Sequence, residues 1–215
     1  MTTLLAVFSC ASGSQALLRH WPYFERQQAD RSIVIGTVDR HCAVPEGVDE
    51  LKIGLDCYIK GPHLPMRLCR TIEQLLSWDW DALILAEYDT LIFNPIKVNK
   101  LNCIASHPAG TLAYNFYHNP WVFDRLTAEG FLEEGFKVIE SGQCQEGAHA
   151  ASPDVFFGLV CATMKQPVQG DLWTEFTRNS FDCNGDLERA REAYRNGVDI
   201  IHGTKTEKEL EYITQ

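Results

Sequence analysis

Glu87-Tyr88-Asp89-Thr90-Leu91 sets two carboxylates two residues apart, directly after the apolar run Ala82-Leu83-Ile84-Leu85-Ala86 and before Leu91-Ile92-Phe93. The first run has the length of a buried strand and is short for a helix. In extended backbone, residues i and i+2 project to one side, so Glu87 and Asp89 are expected to pair at the strand end. Two such carboxylates repel each other and lose hydration, and a bound divalent cation relieves both penalties. The pair supplies oxygen ligands suited to magnesium or manganese, with phosphate oxygens and water completing the shell. A metal held there would act as a Lewis acid. The plainer reading is two solvated carboxylates at a strand-to-loop corner. The abrupt end of the apolar run at Glu87 favours the metal.

Three further groups carry chemistry. His202-Gly203-Thr204-Lys205 follows an apolar stretch near the C-terminus. Imidazole is a common metal ligand, glycine permits close backbone approach, and an ammonium holds phosphate as a point charge. Ser9-Cys10-Ala11-Ser12-Gly13-Ser14 is a small-residue loop after the first apolar run, and Val38-Asp39-Arg40 closes the second. Asp39 can accept from a base or a ribose hydroxyl. Lys60, Arg67 and Arg70 precede the acidic strand, where they are either nucleotide contacts or solvated surface charges. Ser152-Pro153-Asp154 leads into an apolar run after a polar, Gly-rich loop at 142–149. Asp154 reads equally as a cleft-facing acid and as a helix N-cap. Of the aromatics Tyr114, Phe116, Tyr117, Trp121 and Phe123, most are expected in the core, although such rings also stack on sugar faces.

The acid-x-acid pair and the late His-Gly segment followed by lysine resemble the signature of GT-A glycosyltransferases, in particular the glycogenin-like type. The resemblance runs through most of the chain in order: small-residue loop, Asp39, acidic pair, Asp154, His-x-x-Lys. It implies a single α/β domain, GT-A-like (Rossmann-like), with a mostly parallel central sheet flanked by helices. It also implies a metal site of Glu87, Asp89 and His202, with Lys205 on the diphosphate. Ser9, Ala11, Ser12, Asp39 and Arg67 would line the nucleotide side. Asp154 would act on the donor or acceptor sugar, as general base if the enzyme inverts. The Pro-Trp that commonly follows the lysine in that family is replaced here by Thr206-Glu207. The implied function is transfer of a sugar from a nucleotide-sugar donor, a UDP-sugar being favoured, with Mn2+ or Mg2+ as cofactor. The acceptor would be a glycan, a lipid or a small molecule. Two alternatives stay open. One is a sugar-nucleotide-binding protein without turnover; the other is a phosphoester hydrolase using Glu87 and Asp89, a class that usually gathers more metal ligands.

The elements that must position these residues can be read from periodicity. Strands are expected at 3–9, 32–39, 81–86, near 103–106 and at 198–201. Helices are expected at 14–28, interrupted or kinked by Pro22, and at 62–78, where Leu64, Leu68, Ile72, Leu75 and Leu76 share a face. Asn119-Pro120 reads as a helix opening, continued by Phe131, Phe136, Val138 and Ile139. A polar helix at 186–195 is closed by Asn196-Gly197, and a short surface helix follows Thr206. A strand–loop–helix opening points to parallel pairing with crossover helices, and ligands of such sheets lie beyond the carboxyl ends of the strands. The 215 residues suit one domain, with 1–106 as a nucleotide-binding half and 107–215 as an acceptor half.

Composition narrows the field. The apolar share of 45% and charged share of 22% are those of a globular domain. A formal charge of −10 argues against broad nucleic-acid binding. No apolar run approaches the roughly 20 residues of a membrane span, so no integral membrane segment is expected. The stretch Leu4–Phe8 has no cation before it and reads as a strand, not a signal peptide. The chain has no G-x-G-x-x-G, no P-loop and no long Gly-rich nucleotidyltransferase signature. Its eight cysteines include no C-x-x-C pair, so buried free thiols and a cytoplasmic location are expected.

Overall fold

The computed structural model describes residues 1–54, 63–96, 98, 104–109, 116–144, 152–165, 180–183 and 185–215. Lys60, Tyr114 and most of the 142–149 loop lie outside them. Two apolar segments make the centre of the main sheet, because their side chains are buried on both faces. These are β1 (Thr3–Phe8) and β4 (Ala82–Glu87). β2 (Arg31–Gly36) flanks β1, and the short, polar β3 (Asp49–Lys52) forms an edge. β5 (Leu91–Ile92) belongs to a second sheet, while β6 (Ile104–Ala109) and β7 (Phe116–Asp124) complete the first. The order is β3-β2-β1-β4-β7-β6. The β3–β2, β2–β1 and β1–β4 pairs are parallel; β7 is antiparallel to both β4 and β6. Five strands therefore share a direction and β7 alone opposes them. The chain is α/β, with a mostly parallel, Rossmann-like sheet.

Helices cover both faces. α1 (Ser14–Phe24) buries Leu17, Trp21 and Phe24 against Leu5, Val7, Val34 and Ile84. It runs through Pro22 without stopping, and a 3-10 turn, Glu25–Gln27, follows. α2 (His63–Leu75), α3 (Arg125–Glu140) and α4 (Pro153–Thr163) cover the opposite face, against Leu4, Ala6, Leu83 and Leu85. An aromatic cluster closes this side. Trp121 stacks on Phe157 with centroids 5.2 Å apart, and Phe131 meets Phe123 edge-on. Truncating one of these buried rings to alanine costs about 3–5 kcal/mol.

The expected helix opening at Asn119-Pro120 is corrected by the structure. Both residues lie inside β7, joined by a cis peptide. Trp121 and Phe123 pack into one core layer and Val122 into the other, the two-residue period of a strand. The helix starts instead at Arg125, where the Asp124 side chain caps it by accepting from the Thr127 N–H at 2.8 Å.

The second sheet, β5-β9-β8, is small. β8 is Ser180–Asp182 and β9 is Ile200–His202. α5 (Leu187–Arg195) and α6 (Glu207–Thr214) pack on it through Ala190 and Ile213. No helix among the described residues is long and apolar enough to cross a membrane. The six described cysteines, Cys10, Cys42, Cys69, Cys144, Cys161 and Cys183, are free and buried.

Candidate metal centre and adjoining pocket

Parallel pairing brings three strand ends level. Phe8 is in register with Ile35 on one side and Glu87 on the other. The Ser9 loop, the 37–40 bend and the acidic pair therefore emerge at one edge. Arg67 of α2 ties that edge together from beneath. Its Nε donates to the Ile53 carbonyl at 3.0 Å, and its Nη2 reaches the carbonyls of Ser9 (2.8 Å), Ile35 (2.6 Å) and Gly36 (3.1 Å). A buried guanidinium is tolerable there because main-chain dipoles surround it.

Glu87 ends β4, but the backbone does not stay extended through Asp89. Tyr88 and Asp89 form a turn, closed by a 3.1 Å bond from the Thr90 N–H to the Glu87 carbonyl. The carboxylates converge through this turn, and not through the strand alternation expected from the sequence. The chain then enters β5, which pairs antiparallel with β9: Leu91 opposes Ile201 and Ile92 opposes Ile200. That register carries His202 up to Asp89. Gly203 has φ of 87°, a left-handed conformation that suits glycine, and the Thr204 N–H then reaches the Asp89 carbonyl at 3.0 Å.

The outcome is a cluster of Glu87, Asp89 and His202 whose ligating atoms all lie within 4.8 Å of one another. His202 Nε2 is 3.3 Å from Glu87 Oε2 and 3.3 Å from Asp89 Oδ1. The side chains of Asp89 and His202 are 6% and 14% exposed, and a third of Glu87 opens into the pocket. Burial raises the Glu87 pKa above the usual carboxylate range; the bond to His202 opposes this, and the Asp89 charge adds to it.

Asn119 fixes the geometry. Its Oδ1 accepts from the Glu87 N–H (3.1 Å) and the Thr90 hydroxyl (3.0 Å), so its Nδ2 must face His202 Nε2, 3.2 Å away. No single protonation state of Nε2 suits all three neighbours. A bare Nε2 accepts from Asn119 but turns its lone pair on two carboxylate oxygens. A protonated Nε2 satisfies a carboxylate but confronts the Asn119 N–H. Asp89 Oδ1, buried, gains no hydrogen bond. A divalent cation would resolve the conflict, since carboxylates and a neutral imidazole are both metal-ligand types. Sequence reasoning missed Asn119. The available signal was an amide amid aromatic strand residues, which must find partners when buried.

A pocket of about 250 Å3 adjoins the cluster. Ser9, Arg67, Glu87, Asp89, Asp154 and Lys205 all line it, with Phe8, Leu64 and Leu68 on its apolar wall. Ser9 Oγ is buried there without a hydrogen-bond partner. Asp154 is half-buried in the first turn of α4, where the helix dipole favours a carboxylate. It is not the N-cap, a position held by Ser152. Lys205 is exposed at the rim. Ala11, half-buried, and the exposed Ser12 and Asp39 do not line the pocket. No family model matches this chain, and a search of curated proteins returned no match.

Proposed function

We propose that the chain is a metal-dependent glycosyltransferase of the GT-A type. It would transfer a sugar from a nucleotide-sugar donor, with a UDP-sugar favoured, to a glycan, lipid or small-molecule acceptor. The observation that carries this reading is the convergence of Glu87, Asp89 and His202 beside a pocket at the carboxyl edge of a mostly parallel sheet. Glu87, Asp89 and His202 would hold Mn2+ or Mg2+, which when bound neutralises charge on a leaving diphosphate. Lys205 at the rim adds a point charge for the same phosphates. Ser9, with an unpaired buried hydroxyl, offers the nucleotide a hydrogen bond. Arg67 holds the strand ends on which the nucleotide would rest, while Ala11, Ser12 and Asp39 sit at that edge, off the pocket lining. Asp154 would orient the sugar or take the acceptor proton. The buried free thiols support a reducing, cytoplasmic setting.

Thermal-shift titration with UDP, UDP-sugars and other nucleotides, with and without Mn2+, tests the reading. Binding to the folded state raises the melting temperature. A shift that requires both nucleotide and metal is expected. A shift with metal alone, accompanied by phosphoester hydrolysis, would overturn the transferase in favour of a hydrolase. Nucleotide binding without turnover on any acceptor would mark a binding protein.

A further inference from the structure

We propose that His20, on the buried stripe of α1, is a positioning residue for the metal pair, acting through the Tyr88 carbonyl. This rests on the metal reading of Glu87, Asp89 and His202. His20 is fully buried, and its Nδ1 lies 2.9 Å from the Tyr88 carbonyl, 68 residues away in sequence. A carbonyl only accepts, so Nδ1 carries the proton in that bond. Nε2 is buried and has no hydrogen-bond partner. Leaving a buried acceptor unpaired is unfavourable, so an aliphatic side chain would suit this apolar stripe better. The imidazole makes one polar contact, and that contact is to the main-chain carbonyl of Tyr88, the residue between the two carboxylates.

Three other main-chain groups of the turn are anchored elsewhere. The Glu87 N–H is held by Asn119, the Glu87 carbonyl by Thr90, and the Asp89 carbonyl by Thr204. His20 anchors the Tyr88 carbonyl, and the plane of that carbonyl bears on the angle between Glu87 and Asp89. The Tyr88 ring is gripped by the same helix. It lies so close to Gly13, the N-cap of α1, that a Cβ there would sit 2.7 Å from three ring atoms. Burial holds the His20 pKa below its ordinary value, against the Tyr88 bond and the Asp89 charge, so the neutral form persists at neutral pH.

The test uses the full chain and Mn2+ alone as probe. His20→Leu removes the donor, and His20→Gln restores one. His20→Leu is expected to weaken Mn2+ binding about tenfold, the scale of a lost outer-sphere support, and His20→Gln to recover most of it. Without metal, His20→Leu should speed amide exchange at Thr90 and Thr204 about tenfold, while Leu5 and Val7 of β1 stay protected. Acceleration spread over the whole sheet, or unchanged exchange and affinity, would overturn the proposal. If the wild-type chain binds no Mn2+, the metal reading fails, and local exchange still decides the positioning claim. Imidazole 15N spectra of the wild type give a check independent of any variant. They should show a neutral Nδ1–H tautomer for His20, and an Nε2–H tautomer would refute the bond.

Discussion

Arg67 and the Glu87–Asp89–His202 cluster lie at the same sheet edge and handle buried charge in opposite ways. Arg67 is 3% exposed, and its guanidinium donates to four main-chain carbonyls, all supplied by the fold itself. In the acidic cluster, two carboxylates and an imidazole meet within 4.8 Å, and Asn119 blocks the one arrangement that would quiet them. A buried charge surrounded by carbonyls reads as a structural part, whereas two carboxylates and an imidazole drawn together read as a candidate metal site. The difference teaches that residue type alone does not separate the two. From its sequence position Arg67 reads as a nucleotide contact; its main-chain bonds show a strut.

The largest expected effect tests the strut. Arg67→Met leaves the carbonyls of Ser9, Ile35, Gly36 and Ile53 without this donor in a buried edge. A loss of about 3–5 kcal/mol in urea unfolding is expected. A near-neutral result would mean that the carbonyls find other partners and that Arg67 is available to ligands.

Asp89→Asn should do the reverse. Removing one of two facing carboxylates relieves repulsion, so the metal-free protein should hold its stability or gain about 1 kcal/mol. Its Mn2+ affinity by calorimetry should fall about 100-fold or more, since a direct ligand is lost. A destabilised metal-free variant with unchanged Mn2+ binding would recast the cluster as structural and erase the contrast.

Asn119→Leu stands between the two. It removes the acceptor for the Glu87 N–H and the group that turns His202 Nε2 towards the carboxylates. We expect a stability loss of about 1–3 kcal/mol together with a roughly tenfold weaker Mn2+ affinity. Stability loss alone would place Asn119 with Arg67.

Asp154→Asn sharpens the pocket side. The residue sits in the first turn of α4 without being its cap, so stability should change by no more than about 1 kcal/mol. Sugar transfer should drop far more than nucleotide affinity. Normal turnover would remove Asp154 from the site. The smallest effect is chemical silence in the core. Burial pushes the Cys69 thiol up to about 12 and Cys144 up to about 11. Both thiols stay protonated at pH 8, so iodoacetamide should leave them unmodified until the chain unfolds. Rapid native alkylation would show that this core opens.

Much of the scaffold was legible because its signals are local. The apolar runs at β1, β2 and β4 and the leucine spacing of α2 declare period and face within a few residues. Asn196-Gly197 closes α5 as expected, with Gly197 at φ of 78°. β7 was misread because Asn-Pro is a common helix opening. What overrides that local preference is pairing of β7 between β4 and β6, together with packing of Trp121 and Phe123 against α4.

The candidate site divides along the same line. By itself, the sequence determined the donor chemistry: which residues can ligate a cation, that they are two carboxylates and an imidazole, and that the first carboxylate ends a buried strand. Tertiary structure alone decided that they meet. His202 arrives beside Asp89 only because β9 pairs with β5 in one register, and the acidic pair converges only because the 87–90 turn closes. The parts played by Asn119, His20 and Arg67 were equally hidden. Each depends on hydrogen bonds to main-chain groups 14 or more residues away, and a main-chain carbonyl has no signature in sequence. Side-chain chemistry is written residue by residue, but its geometry comes from pairing and packing of distant segments.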